Sequence, residues 1–145
     1  MSKIAVVYWS GTGNTEQMAQ AVLEGAKENG ADVTLFNVSE FDPSKMDAYH
    51  AVAFGCPAMG AEVLEESEFQ PMWDSCEVRL SGKKIALFGS YGWGDGEWMR
   101  NWEETCKNVG AELVCDSVIC NEKPDEAALN ECKALGMALN DSLSI

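Results

Sequence analysis

Basic residues are scarce. Ten Lys and Arg stand against 24 Asp and Glu in 145 residues, a formal net charge of -14. That balance repels nucleic-acid phosphates and anionic lipid headgroups, so neither is an expected partner. Long apolar runs are missing too: the longest, Ile4 to Trp9, has six residues, where a membrane-spanning helix needs about 20. No basic and apolar leader with a small-residue cleavage site opens the chain, and a soluble, cytoplasmic protein is expected. Histidine occurs once, at His50, and no two of the six cysteines (Cys56, Cys76, Cys106, Cys115, Cys120 and Cys132) have two residues between them. This speaks against a zinc site and against a thioredoxin-type redox pair, and predicts reduced, mostly buried thiols. Low-complexity tracts, internal repeats and linkers are absent. The length suits a single domain, residues 1–145.

What is present is a folding pattern. Apolar residues make up 46% of the chain, and five Trp, five Phe and three Tyr need burial or a partner, which excludes disorder. Lys3 to Trp9 reads as an almost continuous apolar strand. A Gly and Thr loop follows, then a helical face of Met18, Ala19, Val22, Leu23 and Ala26, closed by Gly30. Strands are predicted over Asp32 to Asn37, Ala51 to Gly55 and Lys84 to Gly89, with a helix carrying Phe69, Met72, Trp73 and Cys76 before the last of these. Beyond it come a helix around Trp98, Trp102, Cys106 and Val109, ended by Gly110, and a strand from Glu112 to about Cys120 diluted by Glu112, Asp116 and Ser117. A final helix is capped by Asp125 and carries Leu129, Cys132, Leu135 and Leu139. Five strands without alternation, joined through helices, predict a doubly wound α/β fold with a parallel sheet between two helical layers. His50 falls just before the third strand, and Tyr8, Trp9, Trp73, Trp98 and Trp102 read as packing residues.

In such sheets a ligand binds beyond the carboxyl ends of the strands, where strand order reverses. Three loops belong there. The first is Ser10, Gly11, Thr12, Gly13, Asn14 and Thr15, with three hydroxyls, one amide and several backbone N–H groups at a helix start. It reads as a phosphate cradle. It lacks the lysine of a nucleoside-triphosphate loop, and Glu16 stands where a dinucleotide fingerprint needs Gly or Ala, so a monoester held without a cation fits it best. The second loop is Cys56, Pro57, Ala58, Met59, Gly60, Ala61 and Glu62; a Met at a strand end also serves as core filler, and Gly60 as an ordinary turn residue. The third, Gly89, Ser90, Tyr91, Gly92, Trp93, Gly94, Asp95 and Gly96, sets two aromatics among glycines, and a flat side chain on such a loop suits a flat ligand.

The stretches SGTGNT, GCPAMGAE and GSYGWGDGEW resemble those of short-chain bacterial flavodoxins of the clostridial type, in register over the whole chain. The resemblance implies a five-stranded parallel sheet in the order 2-1-3-4-5 and non-covalently bound flavin mononucleotide (FMN). It implies that Ser10 to Thr15 bind the phosphate, that Met59 covers the inner face of the ring system, and that Trp93 stacks on its outer face. Glu62 then accepts the ring N3–H. The backbone from Gly92 to Gly94, with Asp95 following, faces the N1 and O2 edge; Pro57, Ala58, Ser90 and Tyr91 lie beside the cofactor. The Gly60 carbonyl, next to Ala61, would turn toward N5 on reduction. Pro57 has neither hydroxyl nor N–H for the phosphate, and Ala61 replaces a position that is often polar in relatives. Both bear on tuning.

The implied function is a low-potential one-electron carrier, not an enzyme, that cycles mainly between semiquinone and hydroquinone. Six acids and no Lys or Arg lie from Glu62 to Glu77, and Asp95, Glu97, Glu103 and Glu104 extend the field, so repulsion should make the second electron harder to add. The same acids also read as a solvated face that keeps the protein soluble. Expected partners are redox proteins, reductases and oxidoreductases, with basic patches, met transiently by a monomer. An alternative is an FMN-dependent NAD(P)H quinone or nitro reductase on the same fold, against which the short loops speak. A phosphoacceptor signalling module would need acidic residues at the ends of strands one and three, where Trp9, Ser10, Gly55 and Cys56 stand instead.

Overall fold

A computed structural model of the protein describes residues 2–59, 63–92 and 94–143. Strands β1 (Lys3–Tyr8), β2 (Asp32–Asn37), β3 (Ala51–Gly55) and β4 (Lys84–Tyr91) are all parallel, in the order β2-β1-β3-β4, with the far edge filled by the strand that follows β4. This is the predicted order. The central strands β1, β3 and β4 are apolar on both faces, so helices cover both sides of the sheet. Ile4, Val6, Ala51, Ala53, Ala86 and Phe88 meet helices α1 (Asn14–Ala26) and α5 (Glu126–Ser142) on one side. Ala5, Val7, Val52, Phe54, Ile85 and Leu87 meet α3 (Phe69–Cys76) and α4 (Glu97–Asn108) on the other. A short α2 (Pro43–Met46), not predicted, is started by Asp42, whose carboxylate accepts the Ser44 N–H at 2.9 Å.

Two expectations need correction. The edge strand is two segments, β5 (Glu112–Leu113) and β6 (Val118–Asn121), each paired with β4. Leu113 faces Ile85 and Val118 faces Phe88, so five steps along the edge meet three along β4 and two residues are extra. The bulge falls at Asp116 and Ser117, polar residues that leave the ladder, and the Ser117 hydroxyl donates to Glu103 at 2.7 Å. Second, β4 runs two residues past Gly89. Because β6 pairs alongside it, Ser90 and Tyr91 are strand residues opposite Cys120 and Asn121, and the third loop begins only at Gly92.

The aromatic layer is built as expected. Phe54 packs edge-on against Trp73, and Trp102 does the same against Phe69 and Trp73, with centroids 5.0–5.5 Å apart. All six thiols are free; four are buried and two are half-buried. Burial raises every one, Cys106 and Cys132 to about 12 and Cys76 and Cys120 to about 11, so they stay protonated and inert at neutral pH. His50 has a role after all: its Nδ1 accepts the Lys3 N–H at 2.9 Å at the start of β1. Among the described residues no helix is long and apolar enough to cross a membrane.

Candidate functional site

At the carboxyl ends of β1, β3 and β4 the chain encloses a cavity of about 400 Å³, within the size range of small-molecule sites. One end is polar. After β1, Gly13 adopts φ +95° and α1 begins at Asn14. The turn is held by the Ser10 hydroxyl, which accepts the N–H groups of Gly13 (3.0 Å) and Glu16 (3.3 Å). Asn14 and Thr15 are in the first turn, where backbone N–H groups have no partner within the helix and the dipole favours an anion. Gly11, Thr12 and Asn14 line the cavity. Thr15 is buried, and its hydroxyl pairs with that of Ser90 at 3.2 Å, fastening the loop to β4. The six loop residues thus divide the work: three face the cavity and three shape or anchor the turn.

The opposite walls are apolar. Pro57, Ala58 and Met59 follow β3, and Ala58 donates its N–H to the Ser90 carbonyl at 3.0 Å. Met59 and Val63 exchange both backbone hydrogen bonds, at 2.8 and 3.0 Å. Gly60, Ala61 and Glu62, like Trp93, lie outside the described residues. Ser90, Tyr91 and Gly92 complete the wall from β4. Gly94 has φ +88°, and Asp95 is not on the lining; it pairs with Arg100 at 2.9 Å, and Arg100 also donates to the Asp95 carbonyl.

Two lining residues escape the sequence reading. Trp9, expected to pack only, also walls the cavity: a side chain on Gly11 would come within 3.0 Å of its ring, and its indole N–H donates to Glu68 at 3.1 Å. Its place as the last aromatic before the glycine loop was the available signal. Glu122 is the one non-glycine residue with positive φ among those described, at +58°, and its N–H donates to the Tyr91 carbonyl at 2.7 Å. Its presence here depends on the bulge that shifts β6 along β4.

The stretch behind the second loop is fixed by Glu65. Its carboxylate accepts the N–H groups of Ser67 (2.9 Å), Glu68 (2.7 Å) and Phe69 (2.8 Å), capping α3. Burial alone would raise this carboxyl, yet the three donors together hold it below the ordinary glutamate range. A carboxyl depressed on folding stabilises fully above its unfolded pKa of about 4.3, and that contribution is lost as pH falls through the lower folded value. Glu65→Gln should therefore destabilise the protein by about 1–2 kcal/mol at pH 7, with the difference shrinking below pH 4 in paired urea titrations. A gap that stays constant down to pH 3 would refute the capping charge.

The donor set says what fits. The lining holds Gly11, Thr12 and Asn14 at a helix start with no Lys or Arg among the described residues, an indole, a thioether and a phenol ring, and a single carboxylate, Glu122. That suits a planar amphipathic group carrying one phosphate. The fold and this cavity define a doubly wound α/β protein with a switch-point site for such a cofactor. The family model for flavodoxin matches residues 6–136. The flavodoxin of Clostridium beijerinckii is 50% identical over 122 residues, 84% of this chain and 88% of that one. The flavodoxin of Megasphaera elsdenii is 43% identical over 93% of this chain and 96% of its own. The solution structure of that protein in its two-electron reduced form superposes with a TM-score of 0.87, covering 95% of this chain and 98% of that one. The chain belongs to the flavodoxin family, whose members are FMN-binding electron carriers.

Proposed function

We propose that this protein is a low-potential, cytoplasmic one-electron carrier that shuttles electrons between redox proteins and uses FMN mainly between its half-reduced and fully reduced states. The observation that carries the reading is a helix start with glycine, hydroxyl and amide groups, and no Lys or Arg among the described residues, at one end of a cavity with aromatic and thioether walls. FMN supplies the one-electron redox chemistry. The chain's residues do the rest. Gly11, Thr12 and Asn14 hold the phosphate through N–H groups and polar side chains, while Trp9, Met59 and Tyr91 exclude water from the ring end. Met59 is 36% exposed and marks the open rim.

Exposed carboxylates flank the lining residues in sequence: Glu66 and Glu68 after the second loop, Asp95 in the third and Glu97 after it, and Glu122 in the wall. Negative charge added to the site is repelled by them, and a partner with a basic patch is steered toward it. Contact with reductases or oxidoreductases should be brief and weaken with salt. Stepwise reduction of the FMN-loaded protein tests the reading: two separate one-electron steps are expected, the second becoming less negative as ionic strength rises. One unresolved two-electron step, or rapid oxidation of NADH or NADPH by the pure protein, would favour the reductase alternative.

A further inference from the structure

Cys56, between β3 and the cavity wall, is held on every side. Cys56 donates its N–H to the Phe88 carbonyl at 3.1 Å, its own carbonyl accepts the indole N–H of Trp98 at 3.1 Å, and its sulfur accepts the Glu65 N–H at 3.4 Å. Every backbone polar group of Cys56 is thus spoken for, and so is its side chain. Ala58 is held as well, by the Ser90 carbonyl, and Glu65 is fixed through its cap of α3.

The Trp98 bond is built at a cost elsewhere. A side chain on Gly89 would come within 2.2 Å of the Cys56 carbonyl oxygen and 3.2 Å of the Trp98 ring, so strand β4 gives up a side chain to let the indole reach across. The bond joins residues 42 apart in sequence and is fully buried, where a lost partner leaves a carbonyl unsatisfied. Trp98 itself does not line the cavity. It packs beneath it, with its ring 5.6 Å from that of Tyr91, a residue of the cavity wall.

Resting on the flavodoxin reading above, we propose that Trp98 is a positioning residue: through the Cys56 carbonyl it fixes Pro57, Ala58 and Met59, which wall the cavity, and thereby sets how tightly FMN is held and how far apart its two one-electron potentials lie. Met59, on the wall, lies three residues beyond the carbonyl that Trp98 holds.

Trp102 provides the control. It belongs to the same helix and the same aromatic layer, is as buried as Trp98, and its indole nitrogen has no hydrogen-bond partner among the described residues. Trp98→Phe and Trp102→Phe therefore remove similar ring area, but only the first removes a bond to the loop. In apoprotein, Trp98→Phe should speed amide exchange at Ala58 and Met59 at least tenfold. In FMN-loaded protein it should weaken FMN binding and change the separation of the two midpoints by about 30 mV or more, a threefold change at 59 mV per tenfold. Trp102→Phe should leave all three within twofold of the parent. Cys56→Ala, which removes the sulfur acceptor for Glu65, should move the same readouts as Trp98→Phe and serves if that variant does not fold. Equal effects of Trp98→Phe and Trp102→Phe, or none from either, overturn the proposal. The exchange measurement needs no cofactor, so the clamp is judged even if the parent protein fails to take up FMN and the functional reading falls.

Discussion

Gly136→Ala should lower the stability of the protein by about 2 kcal/mol, although alanine is the better helix former by about 1 kcal/mol. The reason lies in how α1 and α5 touch. A β-carbon on Gly136 would stand 2.2 Å from the Val22 carbonyl oxygen and 2.6 Å from the Ala26 nitrogen; one on Gly25 would stand 2.0 Å from the Lys133 carbonyl oxygen. These are backbone atoms, which cannot turn aside, so the helices must separate. Overpacking of this kind costs roughly 3 kcal/mol, more than the helix gain returns. For a domain near this size 2 kcal/mol is a fall in Tm of roughly 4–8 °C. Since both glycines serve one contact, Gly25→Ala with Gly136→Ala should cost less than the sum of the two alone. The first turn of α1 carries the anion site, so FMN affinity should fall along with stability. A Gly136→Ala variant that melts at or above the parent temperature would show that the helices yield freely.

That contact also shows where sequence reading stops. The face of α1 with Met18, Val22 and Ala26 follows from helical spacing, and so does that of α5 with Cys132, Leu135 and Leu139; both are buried as spaced. Which helix faces which, and that Gly25 in the last turn of α1 and Gly136 in the middle of α5 are there for backbone contact, depends on the three-dimensional path. The central strands β1, β3 and β4 were legible from their apolar runs, whereas the edge strand beside β4 was not legible in detail: a two-residue bulge leaves no mark in a stretch already mixed with polar residues. The site divides in the same way. Ser10 to Thr15 announce an anion site by type and order, since hydroxyls and glycines before a helix have few other uses. Glu122 could not be found, because its place in the wall depends on the register of β6. Nor could the inward turn of the Thr15 hydroxyl, which depends on Ser90, 75 residues away in sequence.

Thr12→Asp should reduce FMN affinity at least 100-fold while leaving the affinity for riboflavin within threefold. Thr12 lines the polar end of the cavity just before α1, and no Lys or Arg among the described residues lines it. A phosphate monoester carries about 1.5 to 2 negative charges at neutral pH. It would be held there by backbone donors, polar side chains and the helix end, with no mobile cation among the described lining residues to compensate an added carboxylate. Two unit charges at about 4 Å repel by about 1 kcal/mol in water and about 4 kcal/mol at the effective dielectric of a protein surface; a 100-fold loss, about 2.7 kcal/mol, falls between these. Riboflavin lacks the phosphate and keeps the ring contacts with Trp9, Met59 and Tyr91, so it reports whether the far end of the cavity is intact. The variant apoprotein should be at least as stable as the parent, because a carboxylate beside a helix start contributes about 0.3 kcal/mol favourably. Thr12→Val separates charge from hydrogen bonding: it should weaken FMN only several-fold. If Thr12→Asp lowers FMN and riboflavin binding equally, the phosphate is not at this end, and the orientation assigned to the cofactor is wrong.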